Sequence, residues 1–266
     1  MDNLLCVIVL YRCLLKNAKT YQTLLRPINS YHLYVYDNSP EKQCINDSKI
    51  IYVHDARNRG LSVAYNNAAK YAKENGFEWL LLLDQDTDFS NILIDNYAKA
   101  ISENPDIKLF APKVRCGDKY MSPMRVWHRM GALSIAAASG IISLSKYCII
   151  NSGMCVNVEA MIESGGYNEK VFLDHSDHEF LEKFATKYPT AFVIDKVINQ
   201  NFSDLTANVE STLYRYRLFC RSIKNCTRRS ISDSFWFFVV VLRRGLTICL
   251  RNKTLQPINI FREEYL

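Results

Sequence analysis

No stretch of this sequence reaches the roughly 18 to 20 consecutive apolar residues that a membrane-spanning helix requires. The longest apolar block, Phe235 to Leu242, stops at Arg243 and Arg244, so the chain is not expected to cross a membrane. It runs almost at once into a strand-like segment, Leu4 to Leu10, with no basic leader and no cleavage site, and no secretory signal is expected. Glycine and proline are scarce, 9 and 7 of 266 residues. They form no linker, repeat or low-complexity tract that would divide the chain into separate units. None of the nine cysteines falls in a C-x-x-C pair, and several lie inside apolar runs, such as Cys6 and Cys249. Free thiols in a reducing compartment fit this pattern better than a disulfide framework, so a cytoplasmic location is expected.

What remains is a composition for one sizeable core: 48% hydrophobic, 12% aromatic and 23% charged. The formal charge is +6, and its distribution is uneven. Acidic residues gather between Asp84 and Asp177, whereas Arg215 to Arg262 is basic. A basic balance fits phosphate ligands or an anionic membrane surface as well as nucleic acid.

The first hundred residues alternate between two periods. Strands are expected over Leu4 to Leu10, His32 to Tyr36, Ile50 to Val53 and Trp79 to Leu83, with a helical stretch around Asn17 to Leu25. Leu61 to Lys73 places Leu61, Ala64, Tyr65, Ala68, Ala69 and Ala72 on one helical face, and Gly76 follows as a stop. Strand and helix in alternation predict an α/β fold with a parallel sheet covered on both faces. Ligands of such sheets bind beyond the carboxyl ends of the strands, which directs attention to Tyr11, Asp37, the Asn58 loop and Asp84. Further strands are expected at Leu109 to Val114 and Ile135 to Leu144, a helix over Asp174 to Lys187, and a basic helical segment beyond about Asn199.

Asp84-Gln85-Asp86 follows the apolar strand directly. Two carboxylates one residue apart at a strand end can hold a divalent cation, Mg²⁺ or Mn²⁺, which would neutralise a diphosphate leaving group. Asp84, Asp86 and Asp88 also open with the spacing of an EF-hand loop, but Phe89 stands where that loop needs glycine. An aspartate-nucleophile phosphohydrolase is the rival enzyme reading. That motif belongs on the first strand, whereas here it follows the fourth. A purely structural acidic turn is the bland alternative.

The ordered set Val7 to Tyr11, Tyr36-Asp37-Asn38-Ser39, Asn58 to Asn66, Asp84-Gln85-Asp86 and Phe172 to Glu179 resembles the family 2 inverting glycosyltransferases, in particular their rhamnosyltransferase-like branch. The resemblance spans about residues 4 to 225. It implies a GT-A fold: a mostly parallel nucleotide-binding sheet flanked by helices, a fused acceptor-side subsheet and C-terminal helices. The expected division is residues 1–205 for the GT-A domain, split near 115, and 206–266 for a basic helical extension. By the same resemblance, Tyr11 and Asp37 hold the nucleobase and ribose of a dTDP- or UDP-sugar. Gly60 admits the donor to the backbone, and Asn58 caps the helix at Leu61 or touches the nucleotide. Arg57 and Arg59 are candidates for the diphosphate. Asp84 serves the nucleotide and, with Asp86, the metal. Gln200 stands after the last sheet strand, where many relatives carry a metal-binding histidine.

Inversion needs a carboxylate that takes the proton of the attacking hydroxyl. Asp177, followed by Glu179, fits the family's register for that base. Asp174 is its competitor one turn earlier, and either could be a stabilising charge at a helix start. Glu179 would orient the acceptor or a neighbouring backbone group. His175 and His178 read as exposed helix-start residues. In the C-terminal part, an aromatic and aliphatic block within 234–253 is flanked by Arg243, Arg244, Arg251 and Lys253. It fits a helix lying on a membrane surface, as it also fits a buried helix or a homodimer contact. The expected acceptor is a glycan or lipid-linked glycan in surface polysaccharide synthesis, at the inner face of the plasma membrane. No nucleic-acid module accompanies the arginines. A catalytically inactive nucleotide-sugar-binding subunit is the non-enzymatic alternative.

Overall fold

The structure, a computed structural model, describes residues 3–25, 32–45, 47–128, 130–132, 139–200 and 208–266. Four parallel strands form its first half: β1 (Leu4–Leu10), β2 (His32–Asp37), β3 (Ile50–His54) and β4 (Trp79–Asp84), in the order β3-β2-β1-β4. All seven residues of β1 are buried. Its odd-numbered side chains, Leu5, Val7 and Val9, join one apolar cluster, and the even-numbered ones, Leu4, Cys6, Ile8 and Leu10, join the other. That is why the run is continuously apolar rather than alternating: both faces of the sheet are covered. Helix α1 (Leu61–Glu74) covers one face with Ala64, Tyr65, Ala68, Ala69 and Ala72, all among the residues expected on its apolar face. The stretch expected to be helical around Asn17 to Leu25 forms two single turns, Leu15–Asn17 and Tyr21–Leu25.

The second half adds β5 (Thr87–Asp88), α2 (Ile94–Glu103), β6 (Leu109–Cys116), β7 (Lys119–Ser122), β8 (Met124–Trp127), β9 (Met130–Ala132), β10 (Gly140–Ser143), β11 (Tyr147–Cys148) and β12 (Cys155–Asn157). Helices α3 (Val158–Glu163) and α4 (Ser176–Phe184), strand β13 (Thr190–Gln200) and helices α5 (Val209–Asn225), α6 (Ile231–Asn252) and α7 (Gln256–Ile260) follow. The central sheet runs β10-β13-β6-β12-β4-β1-β2-β3, and β8, β9 and β11 make a small separate sheet. Short β12 is antiparallel to both β4 and β6 and fuses the two halves. The result is the expected mixed α/β architecture, with a large, mostly parallel central sheet flanked by helices. The start of the strand expected from Ile135 and the boundary near 205 lie outside the described residues.

Two features aim the sheet at one place. β1, β2 and β4 end level, with Val9 opposite Asp84 and Leu10 opposite Asp37. β13 breaks register between Ile194 and Val197, and its tip then pairs with β5, Gln200 opposite Thr87. An irregularity of this kind redirects a strand; here the redirected end meets the turn that carries Asp84 and Asp86.

Helices α5, α6 and α7 share a third apolar cluster that also takes in Val171. Residues 208–266 therefore pack together and onto the chain at Val171. No helix among the described residues is long and apolar enough to cross a membrane, and none of the nine cysteines is joined in a disulfide.

Candidate active site

A cavity of about 530 Å³ opens at the carboxyl ends of β1, β2 and β4. Its wall includes Tyr11, Asn58, Gly60, Asp84, Asp86, Asp174, Asp177 and Gln200. Residues as far apart in sequence as Val9 and Leu218 thus converge, in a volume typical of small-ligand sites.

The turn after β4 is braced from below. The buried Thr20 hydroxyl reaches the backbone carbonyls of Asp84 and Thr87, the latter at 2.9 Å, and the Thr87 hydroxyl meets that of Ser152 at 2.7 Å. Gln85 turns back to β1, its Oε1 accepting from the Tyr11 N–H at 2.9 Å. These contacts leave the two aspartates facing the cavity. Gln200, the last residue of β13 rather than one beyond it, donates from Nε2 to Asp84 Oδ2 at 3.0 Å and Asp86 Oδ1 at 3.4 Å. Burial pushes the Asp84 carboxyl up to about 7, with the Asp86 charge adding to the rise and the Gln200 donation opposing it. Asp86 is also raised by burial, against which Gln200 and the Arg215 guanidinium act.

Among the described residues, no group of three His, Cys, Asp or Glu is placed to hold a metal ion. Gln200 bears on the question differently. Its Oε1 is buried without a hydrogen-bond partner among the described residues, an expensive state for an amide oxygen. The terminal torsion of glutamine is broad and nearly two-fold. Turning the amide over brings a neutral oxygen beside two carboxylates, a donor set that suits a hard divalent cation.

Asp177 lies in the first turn of α4 and accepts the His178 N–H at 2.8 Å, which fixes one oxygen and leaves the side chain at the cavity. Asp174 also faces the cavity and pairs with Arg215 at 3.3 Å. The stretch before α4 is anchored to α1: the Leu61 N–H donates to the Phe172 carbonyl at 3.0 Å, and the Ser62 hydroxyl to the Val171 carbonyl at 2.6 Å.

Several expected residues sit elsewhere or do something else. Asp37 is fully buried and does not line the cavity. Its carboxylate accepts from Ser39 N at 2.9 Å, Gln43 Nε2 at 2.7 Å and Tyr52 OH at 2.7 Å; burial works against ionisation there, but these donors outweigh it and hold the carboxyl below its usual range. The neighbouring Asn38 does line the cavity, and its buried Oδ1 has no partner among the described residues. Asn58 does not cap α1. Gly60 takes the cap position with no side-chain bond, and Asn58 adopts a left-handed backbone with its N–H on the Asp55 carbonyl at 2.9 Å. Arg59 is committed to Asp55 at 2.5 Å, Arg57 lies 3.6 Å from the same carboxylate, and neither lines the cavity. Glu179 is buried and accepts from Asn168 Nδ2 at 3.0 Å and from the Thr227 N–H and hydroxyl at 3.2 and 2.5 Å. It orders neighbouring chain rather than facing the cavity. His178 is buried, not exposed, and its ring stacks on that of cavity-lining His175 with centroids 4.6 Å apart.

Sequence reasoning did not nominate Asn151, which lines the cavity wall with Asn38 of the Tyr36–Ser39 motif and with Tyr214 and Arg215 of the Arg- and Tyr-rich helix. Nor did it nominate Tyr65, whose buried hydroxyl lies near the Asp84 carboxyl without closing a hydrogen bond of normal geometry. The Arg- and Tyr-rich pattern of α5 carried the signal for Tyr214 and Arg215. The pattern alone does not say which of its faces looks inward.

Over 92% of its length the chain aligns with 72% of a crystal structure of S. aureus TarS 1-349, at 14% identity and a TM-score of 0.48. No curated protein sequence matches it significantly. Residues 25–143, which include β2, β4, Asp37, Asp84 and Asp86, match the family model described as glycosyl transferase family 2.

Proposed function

We propose that this protein is an inverting glycosyltransferase that moves a sugar from a dTDP- or UDP-linked donor to a hydroxyl of a glycan or lipid-linked acceptor. The observation that carries the reading is the convergence, in one cavity, of the Asp84-Asp86 turn with Asp177 of α4. The family match supports the donor half, since it contains the first of these groups. Asp177 and Gln200 lie beyond the match, and their roles rest on geometry and on the motif resemblance.

In this reading the nucleoside lies over Tyr11, Asn38 and the β2 end that Asp37 organises. Asp84 and Asp86 would hold Mg²⁺ or Mn²⁺, with the Gln200 oxygen as a neutral third donor. A cation bound there supplies charge neutralisation for the departing diphosphate. Asp177 takes the proton from the acceptor hydroxyl as it attacks the anomeric carbon, a contribution of about 10²–10⁴ in rate. Asp174 and Glu179 support it, the first through Arg215 and the second by ordering the chain around α4. A phosphohydrolase is disfavoured, because its aspartate motif belongs on the first strand, whereas Asp84 ends β4. A lipid-linked acceptor would meet the protein at the membrane surface, where the outward stripe of α6 is proposed to rest.

Calorimetric titration of UDP and dTDP, with and without Mn²⁺, tests the donor site. Binding should require the metal, vanish in Asp86→Ala and persist in Asp177→Asn. The last variant should lose at least about a hundredfold in turnover. If neither nucleotide binds under any metal condition, the proposal fails.

A further inference from the structure

The charge on the cavity wall is one-sided. Asp84, Asp86, Asp174 and Asp177 all line it, and among the described lining residues Arg215 is the one Lys or Arg. A diphosphate brings further negative charge. Like charges repel more strongly where water is partly excluded, so a metal at Asp84 and Asp86 does not by itself offset the charge at the base-side end of the wall.

Arg215 is placed to answer that excess. Its Nη2 lies 3.3 Å from Asp174 Oδ1, in a contact between side chains 31% and 20% exposed. Its field also reaches Asp86, so it stands between the base-side aspartates and the strand-end pair. The helix beneath it is held from behind. The Tyr216 hydroxyl donates to the Val241 carbonyl at 2.9 Å. Arg221 makes a two-pronged contact with Glu264 at 2.5 and 2.9 Å, and Arg217 meets the same carboxylate. Phosphate oxygens accept a planar guanidinium through two short, charge-assisted bonds.

We propose that Arg215 is the protein's own cation for the ligand's diphosphate, held in waiting by Asp174 and exchanged onto the phosphate oxygens on binding. The proposal deepens the reading above and rests on a diphosphate entering this cavity. It gives Asp174 a positioning role, distinct from the role of Asp177.

Inorganic pyrophosphate with Mg²⁺, titrated beside UDP and uridine, tests it on the full chain. Arg215→Ala should weaken pyrophosphate and UDP by about tenfold to a hundredfold and leave uridine unchanged. Arg215→Lys keeps the charge without the fork and should fall between wild type and alanine. It also serves should the alanine variant not fold. Asp174→Asn should bind pyrophosphate as well as wild type or more tightly. Unchanged pyrophosphate affinity in Arg215→Ala overturns the proposal, and so does an equal loss in Arg215→Ala and Asp174→Asn, which marks the pair as a structural brace. Arg215-dependent pyrophosphate binding without nucleotide binding would sink the donor reading and leave the anion site standing.

Discussion

Asp84 is the residue where the site's chemistry is most exposed to measurement. Its carboxyl normally titrates near 3.8, and in the folded chain burial and the Asp86 charge raise it to about 7. Between those values the metal-free folded protein holds a proton that the unfolded chain has lost, so this group's contribution to stability falls as pH rises. Asp84→Asn keeps the shape and the acceptor for Gln200 but cannot ionise. In chelator, the variant should melt a few degrees above wild type at pH 8 and close to it at pH 5. A melting difference that does not change between those two pH values would refute the assignment. The same residue shows what was legible in sequence. Asp84, Asp86 and Asp177 could be named because each belongs to a short local pattern, a strand end or a helix start. Asp37 and Glu179 were named too, but their partners were not. Asp37 is engaged by Gln43 and Tyr52, and Glu179 by Thr227, contacts that only the tertiary fold brings about.

At the scale of elements, periodicity located the first half of the sheet well because its strands are buried on both faces and its one long helix is amphipathic. The second half resisted. β12 has three residues and β13 is interrupted at Ile194–Val197, so neither shows a clean period, yet they join the halves and deliver Gln200. The contact between α1 and the segment before α4 was likewise invisible, although Gly60 marks it. Gly60 has φ +92, and a Cβ there would lie 2.3 Å from the Phe172 carbonyl oxygen. That close approach lets the Leu61 N–H reach the same oxygen and sets the chain that leads to Asp174 and Asp177. Gly60→Ala combines an unfavourable backbone conformation with a backbone clash. It should cost about 2–4 kcal/mol of unfolding free energy and weaken nucleotide binding as the segment shifts. Chemical denaturation reads the first effect. A variant as stable as wild type would show that α1 and the Phe172 segment move apart freely.

At the scale of the whole molecule, the C-terminal helices face two ways. Inward, α5 lends Tyr214, Arg215 and Leu218 to the cavity, so a segment expected as an appendage completes the site. Outward, Ile231, Phe235, Phe238, Leu246 and Leu250 fall at intervals of three, four and eight residues along α6, and they are 91, 58, 37, 47 and 81% exposed. Such spacing keeps them on one stripe. Trp236 extends that surface by stacking on His128, at 3.9 Å, and by contacting Trp127, which is 49% exposed. Exposed Arg243, Arg251 and Lys253 border it, and each basic residue near an anionic bilayer adds about 1 kcal/mol of attraction. A contiguous apolar stripe edged by cations is suited to a lipid surface more than to bulk water. The protein should therefore sediment with vesicles rich in phosphatidylglycerol and much less with phosphatidylcholine alone, and added salt should release it. Phe235→Ser combined with Leu250→Ser should abolish sedimentation while nucleotide affinity stays unchanged, because neither side chain lines the cavity. If the wild type ignores both vesicles and light scattering finds a dimer that the double variant loses, the stripe is a contact between copies of the chain and the membrane reading falls.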